Sequence, residues 1–397
     1  MTDDMPALRI DPPAFLTDPA LTTVLDALPE ARVVGGAVRD TLAGRPVADI
    51  DLATPRLPDA VAAVMAERGI RTVPTGLEHG TITAVADGRG FEITTLRRDM
   101  ETDGRRAVVA FTTDWRADAA RRDFTINALS MARDGAVFDY FGGIDDLRAG
   151  VLRFVGDPAT RIAEDYLRIP RFFRFFARYG HAPADPAALA AIRAGVPGLA
   201  GLSVERIWNE LSGLLAVPDP VGSVMLMAEL GVLPALLPEG AKPDGLVRLV
   251  AAGAPVDPML RLAALLTGDA LAVATRLKLS VADRDRLAAL RQPSSLKPDA
   301  DDAVVRRALA DTAAPVLIGR AWLAGGANSA WAGLRARLAA LPRPVFPLEG
   351  QHVLALGVSP GPLVGALLRD VRNWWLERGC LDTTDVCKAE LRRRVGG

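Results

Sequence analysis

The apolar rhythm of the chain changes twice between Val33 and Pro55. Val33 and Val34 run into Gly35-Gly36, a short helical pattern follows, and a second extended run carries Asp49, Ile50, Asp51 and Leu52. Alternation on a strand puts Asp49 and Asp51 on one face and turns Ile50 and Leu52 toward a core. Upstream, residues 1–30 read as a loose lead-in and then a helix, PALTTVLDALPE. Downstream, LPDAVAAVMAERG predicts a helix ended by Gly69, and Gly80 to Leu96 predicts a hairpin turning at Asp87-Gly88. From Arg97 to Trp115 the periodicity is lost in a charged run, which predicts a long mobile loop with a task such as covering a substrate. From Ala159 onward the chain is rich in Ala and Leu, punctuated by Pro and Gly, and reads as helical to its end. The fold class expected is therefore an α+β N-terminal head, a mixed sheet with helices, followed by an all-α C-terminal region.

Chemistry attaches to this pattern at a few places. Two carboxylates about 6.5 Å apart on a rigid strand suit hard divalent cations, although a lone DxD is commonly a solvated turn. Glu92, on the second strand of the hairpin, is placed to add a third carboxylate to the face of Asp49 and Asp51. A glycine pair opening a helix, Gly35-Gly36, leaves backbone N–H groups and a positive dipole end for phosphate. Arg121 and Arg122 open RRDFTINALSM, where the first turn of a helix would favour acids, so Arg122 is suited to an anion. In TRIAEDYLRIPRFFRFFARYG, Asp165, Arg168, Arg171 and Arg174 recur every third residue and wind across one half of a helix. Three such arginines repel one another unless an anion sits among them. Phe172, Phe173, Phe175 and Phe176 are read as core, Glu210 as an ordinary surface acid, and Trp374-Trp375 as packing for a terminal helix.

Composition narrows the class without naming it. The 397 residues allow two or three domains, and 50% hydrophobic with 24% charged is an ordinary globular balance. The opening MTDDMPALRIDPP carries acids where a secretory signal is basic, and no apolar run reaches membrane-spanning length, so a cytoplasmic chain without a membrane partner is expected. Two cysteines and three scattered histidines argue against a cysteine or histidine metal site. A net charge of −1 decides nothing about nucleic acid. Nearly all the positive charge is arginine, a bias that a GC-rich genome also produces. Its clustering between Arg97 and Arg178 fits a phosphate-handling surface.

The ordered motifs GGAVRD, DIDLATP, FEITTLRRD, RRDFTINAL and EDYLRIPRFFRF, with a weaker echo in SVERIWNEL, resemble the class II tRNA nucleotidyltransferases and the related bacterial poly(A) polymerases. The resemblance covers roughly residues 33–176. It implies a nucleotidyltransferase head like that of DNA polymerase β over 1–150, a helical neck over 151–220, and a helical body and tail over 221–397 that binds tRNA. It further implies that Asp49 and Asp51 hold Mg2+, with Glu92 the third catalytic acid. Gly35, Gly36 and Arg39 then meet the triphosphate, Arg122 the nucleotide, and Asp165, Arg168, Arg171 and Arg174 line its pocket. The activity implied is addition of C, C and A from CTP and ATP to the tRNA 3′ end. A poly(A) polymerase is the runner-up, and the chain lacks the strongly basic extension such enzymes often carry. A CC-adding variant, a DxD glycosyltransferase and a non-catalytic nucleotide-binding module stay open as weaker readings. Oligomeric state is left undetermined. Pro170 departs from the family pattern and predicts a kink or bulge between Arg168 and Arg171.

Overall fold

The computed structural model describes residues 5–76, 80–102, 107–181 and 183–396. The chain divides into two compact units, Met1–Leu236 and Leu237–Gly397. In the first unit ten strands form: β1 (Leu8–Arg9), β2 (Arg32–Val34), β3 (Asp51–Thr54), β4 (Arg71–Gly76), β5 (Thr81–Ala86), β6 (Arg89–Thr95), β7 (Arg97–Thr102), β8 (Ala107–Phe111), β9 (Leu129–Met131) and β10 (Ala136–Asp139). Eight of them build one mixed sheet in the order β1-β10-β9-β2-β3-β6-β5-β4, in which only β3 and β6 run parallel.

Helices α1 (Pro19–Ala27), α2 (Gly36–Leu42) and α3 (Pro58–Glu67) share a core with this sheet. The residues paired across its centre, Val33 with Leu52 and Leu52 with Ile93, are buried there. One residue along, Val34 pairs with Asp51 and Asp51 with Glu92, so alternation turns these three to the opposite face. The expected hairpin forms, and its turn residues Asp87 and Gly88 both take positive φ, 48° and 75°. That is the backbone of a two-residue turn matched to strand twist.

Three local expectations are corrected. The stretch from Arg97 to Trp115 is not a loop: β7 and β8 pair as a separate antiparallel ribbon, with residues 103–106 outside the described part. The β-favouring run AVVAF supplies the second strand. RRDFTINALSM is not a helix either. It makes a short 3-10 turn at Thr125–Asn127 and then enters the sheet as β9. The run leading to the arginine band is two helices, not one: Pro158–Glu164 ends before Asp165 and the next begins at Arg168.

The head also carries α4 (Trp115–Ala120) and α5 (Gly143–Ala149), and between it and the unit boundary lie α6 (Pro158–Glu164), α7 (Arg168–Tyr179), α8 (Pro186–Gly195), α9 (Val204–Leu215), α10 (Val221–Glu229) and α11 (Val232–Leu236). Helix α7 is anchored by a cluster of aromatic rings. Phe124 and Phe154, joined by an isolated bridge, meet Phe172 and Phe175 with centroids 5.0–6.2 Å apart. Phe172 and Phe173 are fully buried. Such rings add about 0.5–1.5 kcal/mol per pair beyond their area burial, so the head and α7 are held as one body.

The second unit is helical from Asp244–Ala251 to Thr384–Val395 among the described residues. Trp375 is buried in one of its cores, as the terminal-helix reading expects.

Candidate active site

Sequence places Asp51 at the start of β3 because Leu52 must face the core. Asp49 precedes the strand in irregular backbone, so the strand is shorter than expected, but Asp49 and Asp51 are both solvent-accessible while Ile50 packs on the core. Glu92 is in register with Asp51 on the parallel neighbour β6. Burial within the surrounding protein raises the Asp51 carboxyl above its ordinary value, and the charges of Glu92 and Asp49 raise it further against the opposing pull of Arg122. Crowded carboxylates of this kind fit a divalent cation, which would relieve their repulsion. Among the described residues no three carboxylate, imidazole or thiolate groups are gathered into a ready-made cage.

Beside Asp51 the chain turns at Gly35, whose φ of 63° and ψ of −117° no residue with a side chain adopts easily. A Cβ there would also lie 3.1 Å from Arg122 Nη1. Gly35 is therefore required by its own backbone, and a larger residue would also press on the Arg122 guanidinium. The Gly35 amide donates to the Leu129 carbonyl at 3.0 Å, so phosphate would have to use the amides that follow it.

A cavity of about 590 Å³ opens here. Of the sequence-derived nucleotide residues, Gly35, Gly36, Arg39, Arg122, Asp165, Arg168 and Arg171 line it. Arg174 does not. Its guanidinium lies over the Phe175 ring at 4.5 Å, and Nε donates to Glu210 Oε2 at 2.6 Å. Seven arginines but only Asp123 and Asp165 among the acids line the cavity. Such an excess of guanidinium suits a triphosphate.

The arginines do not wait for an anion to hold them in place. Arg39 donates to Asn127 Oδ1 at 2.6 Å, and Asn127 Nδ2 donates to Asp123 Oδ1 at 3.0 Å. Asp123 Oδ2 accepts from Arg171, and Arg171 and Arg174 both donate to Glu210. Burial pushes the Asp123 carboxyl up, but the Arg171 charge and the hydrogen bonds from Asn127 and Arg171 outweigh it and leave the group below its ordinary range. Burial likewise opposes the charge of Arg171, and Asp123 and Glu210 more than restore it. On the other wall Asp118 takes Arg121 at 2.9 Å and Arg122 at 3.4 Å. Its carboxyl is raised by burial and lowered more strongly by those two guanidiniums.

Asp165 caps the end of α6 in extended backbone, where Oδ1 accepts from the Leu167 amide at 3.0 Å. Its other oxygen, Oδ2, accepts from Arg206 Nη2 at 2.6 Å. Arg168 opens α7 and is bound back to Glu164 and the Arg161 carbonyl. Asp165 and Arg168 thus share the cavity but not a helix. Pro170 falls in the first turn of α7, where its missing N–H has no intrahelical acceptor to lose, and the helix runs on without interruption to Tyr179.

Sequence reasoning missed Asp118, Asp123 and Arg206, and it misread Glu210, which is 7% exposed. Asp118 was within reach, because Asp118, Arg121 and Arg122 stand at i, i+3 and i+4. Arg206 and Glu210 share a face at i, i+4 in SVERIWNEL, but nothing in the sequence pairs that helix with α6 and α7.

A mixed sheet carrying carboxylates beside a glycine turn, backed by an arginine-rich cavity, defines a nucleotidyltransferase head. A family model described as the poly A polymerase head domain matches residues 31–153, and one described as a probable RNA and SrmB-binding site of polymerase A matches residues 184–242. The chain is 37% identical over 369 residues to the mitochondrial CCA tRNA nucleotidyltransferase 1 of Mus musculus, covering 88% of this chain and 83% of that one. It is 40% identical over 216 residues to the CCA-adding enzyme of Geobacillus thermodenitrificans, covering 53% and 52%. The CCA-adding enzyme of Bacillus stearothermophilus in complex with CTP matches in three dimensions with a TM-score of 0.75 at 27% identity, over 96% of this chain and 98% of that one. The chain belongs to the CCA tRNA nucleotidyltransferase family.

Proposed function

We propose that this protein adds C, C and A to the 3′ end of tRNA from CTP and ATP, releasing pyrophosphate at each step. The observation that carries the assignment of roles is the single cavity shared by the glycine turn, Arg122, Asp165 and Arg168 next to Asp51. In this reading Asp49 and Asp51 hold Mg2+, with Glu92 beside them. Divalent ions held there would lower the pKa of the attacking 3′-hydroxyl and neutralise the departing pyrophosphate. Arg39 and Arg122 hold the triphosphate so that its α-phosphorus faces the hydroxyl in line.

Asp165 and Arg168 choose the base without a nucleic-acid template. Cytosine presents an N4 amino donor and an N3 acceptor, and adenine an N6 donor and an N1 acceptor, so a carboxylate beside a guanidinium complements both. Uracil and guanine reverse donor and acceptor at those edges and leave both charges unpaired. Arg206 orients the Asp165 carboxylate, and the Glu210 and Asp123 carboxylates keep the arginine wall in place.

Residues 1–150 act as the catalytic head, 151–220 as the neck that reads the base, and 221–397 as body and tail that grip tRNA. The match over 184–242 to a probable RNA-binding region supports RNA contact by neck and early body. Among the described residues no helix is long and apolar enough to cross a membrane. Two buried free cysteines fit a reducing compartment, and the cytoplasm is the one we favour, while the mouse relative carries a mitochondrial name.

The test is extension of a tRNA lacking its last three nucleotides, with Mg2+ and each nucleotide alone or together. CTP alone should add two residues and CTP with ATP should stop at CCA. Continued growth into an adenylate tract would mean a poly(A) polymerase instead. Asp49→Ala should reduce incorporation by roughly a thousandfold or more, several kcal/mol of charge stabilisation at about 1.36 kcal/mol per tenfold, with an unchanged fold.

A further inference from the structure

The second unit contains a cavity of its own, about 440 Å³, between helices Asp244–Ala251, Pro258–Leu265, Val281–Arg291 and Ala314–Gly325. Arg248, Arg291 and Arg320 line it together with Gln292, Ser294 and Trp322, and no aspartate or glutamate does. None of the three arginines forms an ion pair with a carboxylate among the described residues. Arg291 donates to the Ala263 carbonyl at 3.3 Å, and Arg320 Nε to the Ala289 carbonyl at 2.7 Å. Asp244 shares a helix with Arg248 four residues away, yet no bridge forms between them.

A fourth guanidinium stands behind the wall. Arg335, 8% exposed, lies 3.5 Å from the Trp322 ring and donates to the Gly326 carbonyl at 3.0 Å, and both of those residues face the cavity. Burial lowers the pKa of Arg320 and of Arg335, with no acid opposing it. In contrast, other buried or half-buried arginines such as Arg171, Arg174, Arg276 and Arg286 meet carboxylates. Arg248 and Arg291 stand exposed at the rim, Arg320 is half-buried and Arg335 is buried behind it, so guanidinium charge converges on a concave space whose lining holds no acid. The buried share of that charge is costly unless an anion joins it.

We infer that this cavity is a binding site for a compact phosphate anion: inorganic phosphate, pyrophosphate or the phosphate tail of a nucleotide. Planar guanidiniums present paired N–H donors that match phosphate oxygens, which Lys would not do, and Gln292 offers further donors at the rim. The concave shape suits a compact group more than a length of duplex backbone. The inference does not depend on the roles given to the head residues.

The test uses the full chain. Arginines are modified with phenylglyoxal and the rate at each is read from peptides, with inorganic phosphate, pyrophosphate, ATP, tRNA or chloride added at matched ionic strength. At least a threefold slowing at Arg248 and Arg291 by phosphate, pyrophosphate or ATP, but not by chloride, is expected, and the most protective probe identifies the source. The exposed pair changed together, Arg248→Gln with Arg291→Gln, should weaken calorimetric binding of that probe to the second unit at least tenfold while CTP incorporation stays unchanged. Equal modification rates with every probe, or protection by tRNA alone, would overturn the inference.

Discussion

Arg171 lies between Asp123 and Glu210, and that position carries the chemistry of the pocket at the scale of single residues. The Asp123 carboxyl sits below its ordinary value of 3.8 in the folded protein. Its stabilising contribution is therefore fully present above 3.8 and is lost as pH falls through the lower folded value. Urea unfolding of wild type and Asp123→Asn should differ at pH 7 and converge progressively below pH 3.8; a gap that persists in strong acid would contradict the pairing. Placements that depend on local pattern were legible in the sequence, among them Asp51 opening a strand, Gly35 at its turn and Arg122 on the cavity wall. Asp123 and Glu210 were not. Each is a single acid in an ordinary setting, and its partners lie 48 and 39 residues away along the chain.

At the scale of elements, the three-residue spacing from Asp165 to Arg174 suggested one helix, and the structure gives two helices with Asp165 in the break. Spacing alone could not show this, because the Asp165 side chain takes the Leu167 amide and ends the first helix locally. The break gives Pro170 a neutral place. Pro170→Ala should change stability by less than about 1 kcal/mol, the scale of a proline's effect on the unfolded chain, where an interior proline would cost about 3 kcal/mol. A gain of several kcal/mol on denaturant unfolding would restore the kinked-helix reading. Helix α9 is joined to α7 through Glu210, so Glu210→Gln removes the acid shared by Arg171 and Arg174. Loss of one member of a buried pair costs about 3–5 kcal/mol, and partial exposure of both arginines lowers this to about 2. Calorimetry should show the first unit melting roughly 4–8 °C lower. An unchanged melting temperature would mean that α9 is held by its apolar face alone.

For the whole molecule, the alternation of strand and helix in the first 100 residues sufficed to expect an α+β head, and the Ala/Leu-rich remainder sufficed to expect helices. The unit boundary at Leu236 was not legible, because α10 continues the packing around α7, with Ser223 Oγ donating to the Phe173 carbonyl at 2.6 Å. The β7–β8 ribbon was read as a loop because its first strand is too charged to look like one. The proposed mechanism requires one nucleoside triphosphate to reach both the carboxylates of the sheet and the Asp165–Arg168 edge. The most direct measurement compares kcat/KM for CTP, ATP, UTP and GTP in wild type and Asp165→Ala at fixed Mg2+. Loss of the bidentate match, about 1–3 kcal/mol, should lower the preference for CTP over UTP and for ATP over GTP by roughly tenfold or more. Selectivity that survives intact would contradict the claim that these side chains read the base.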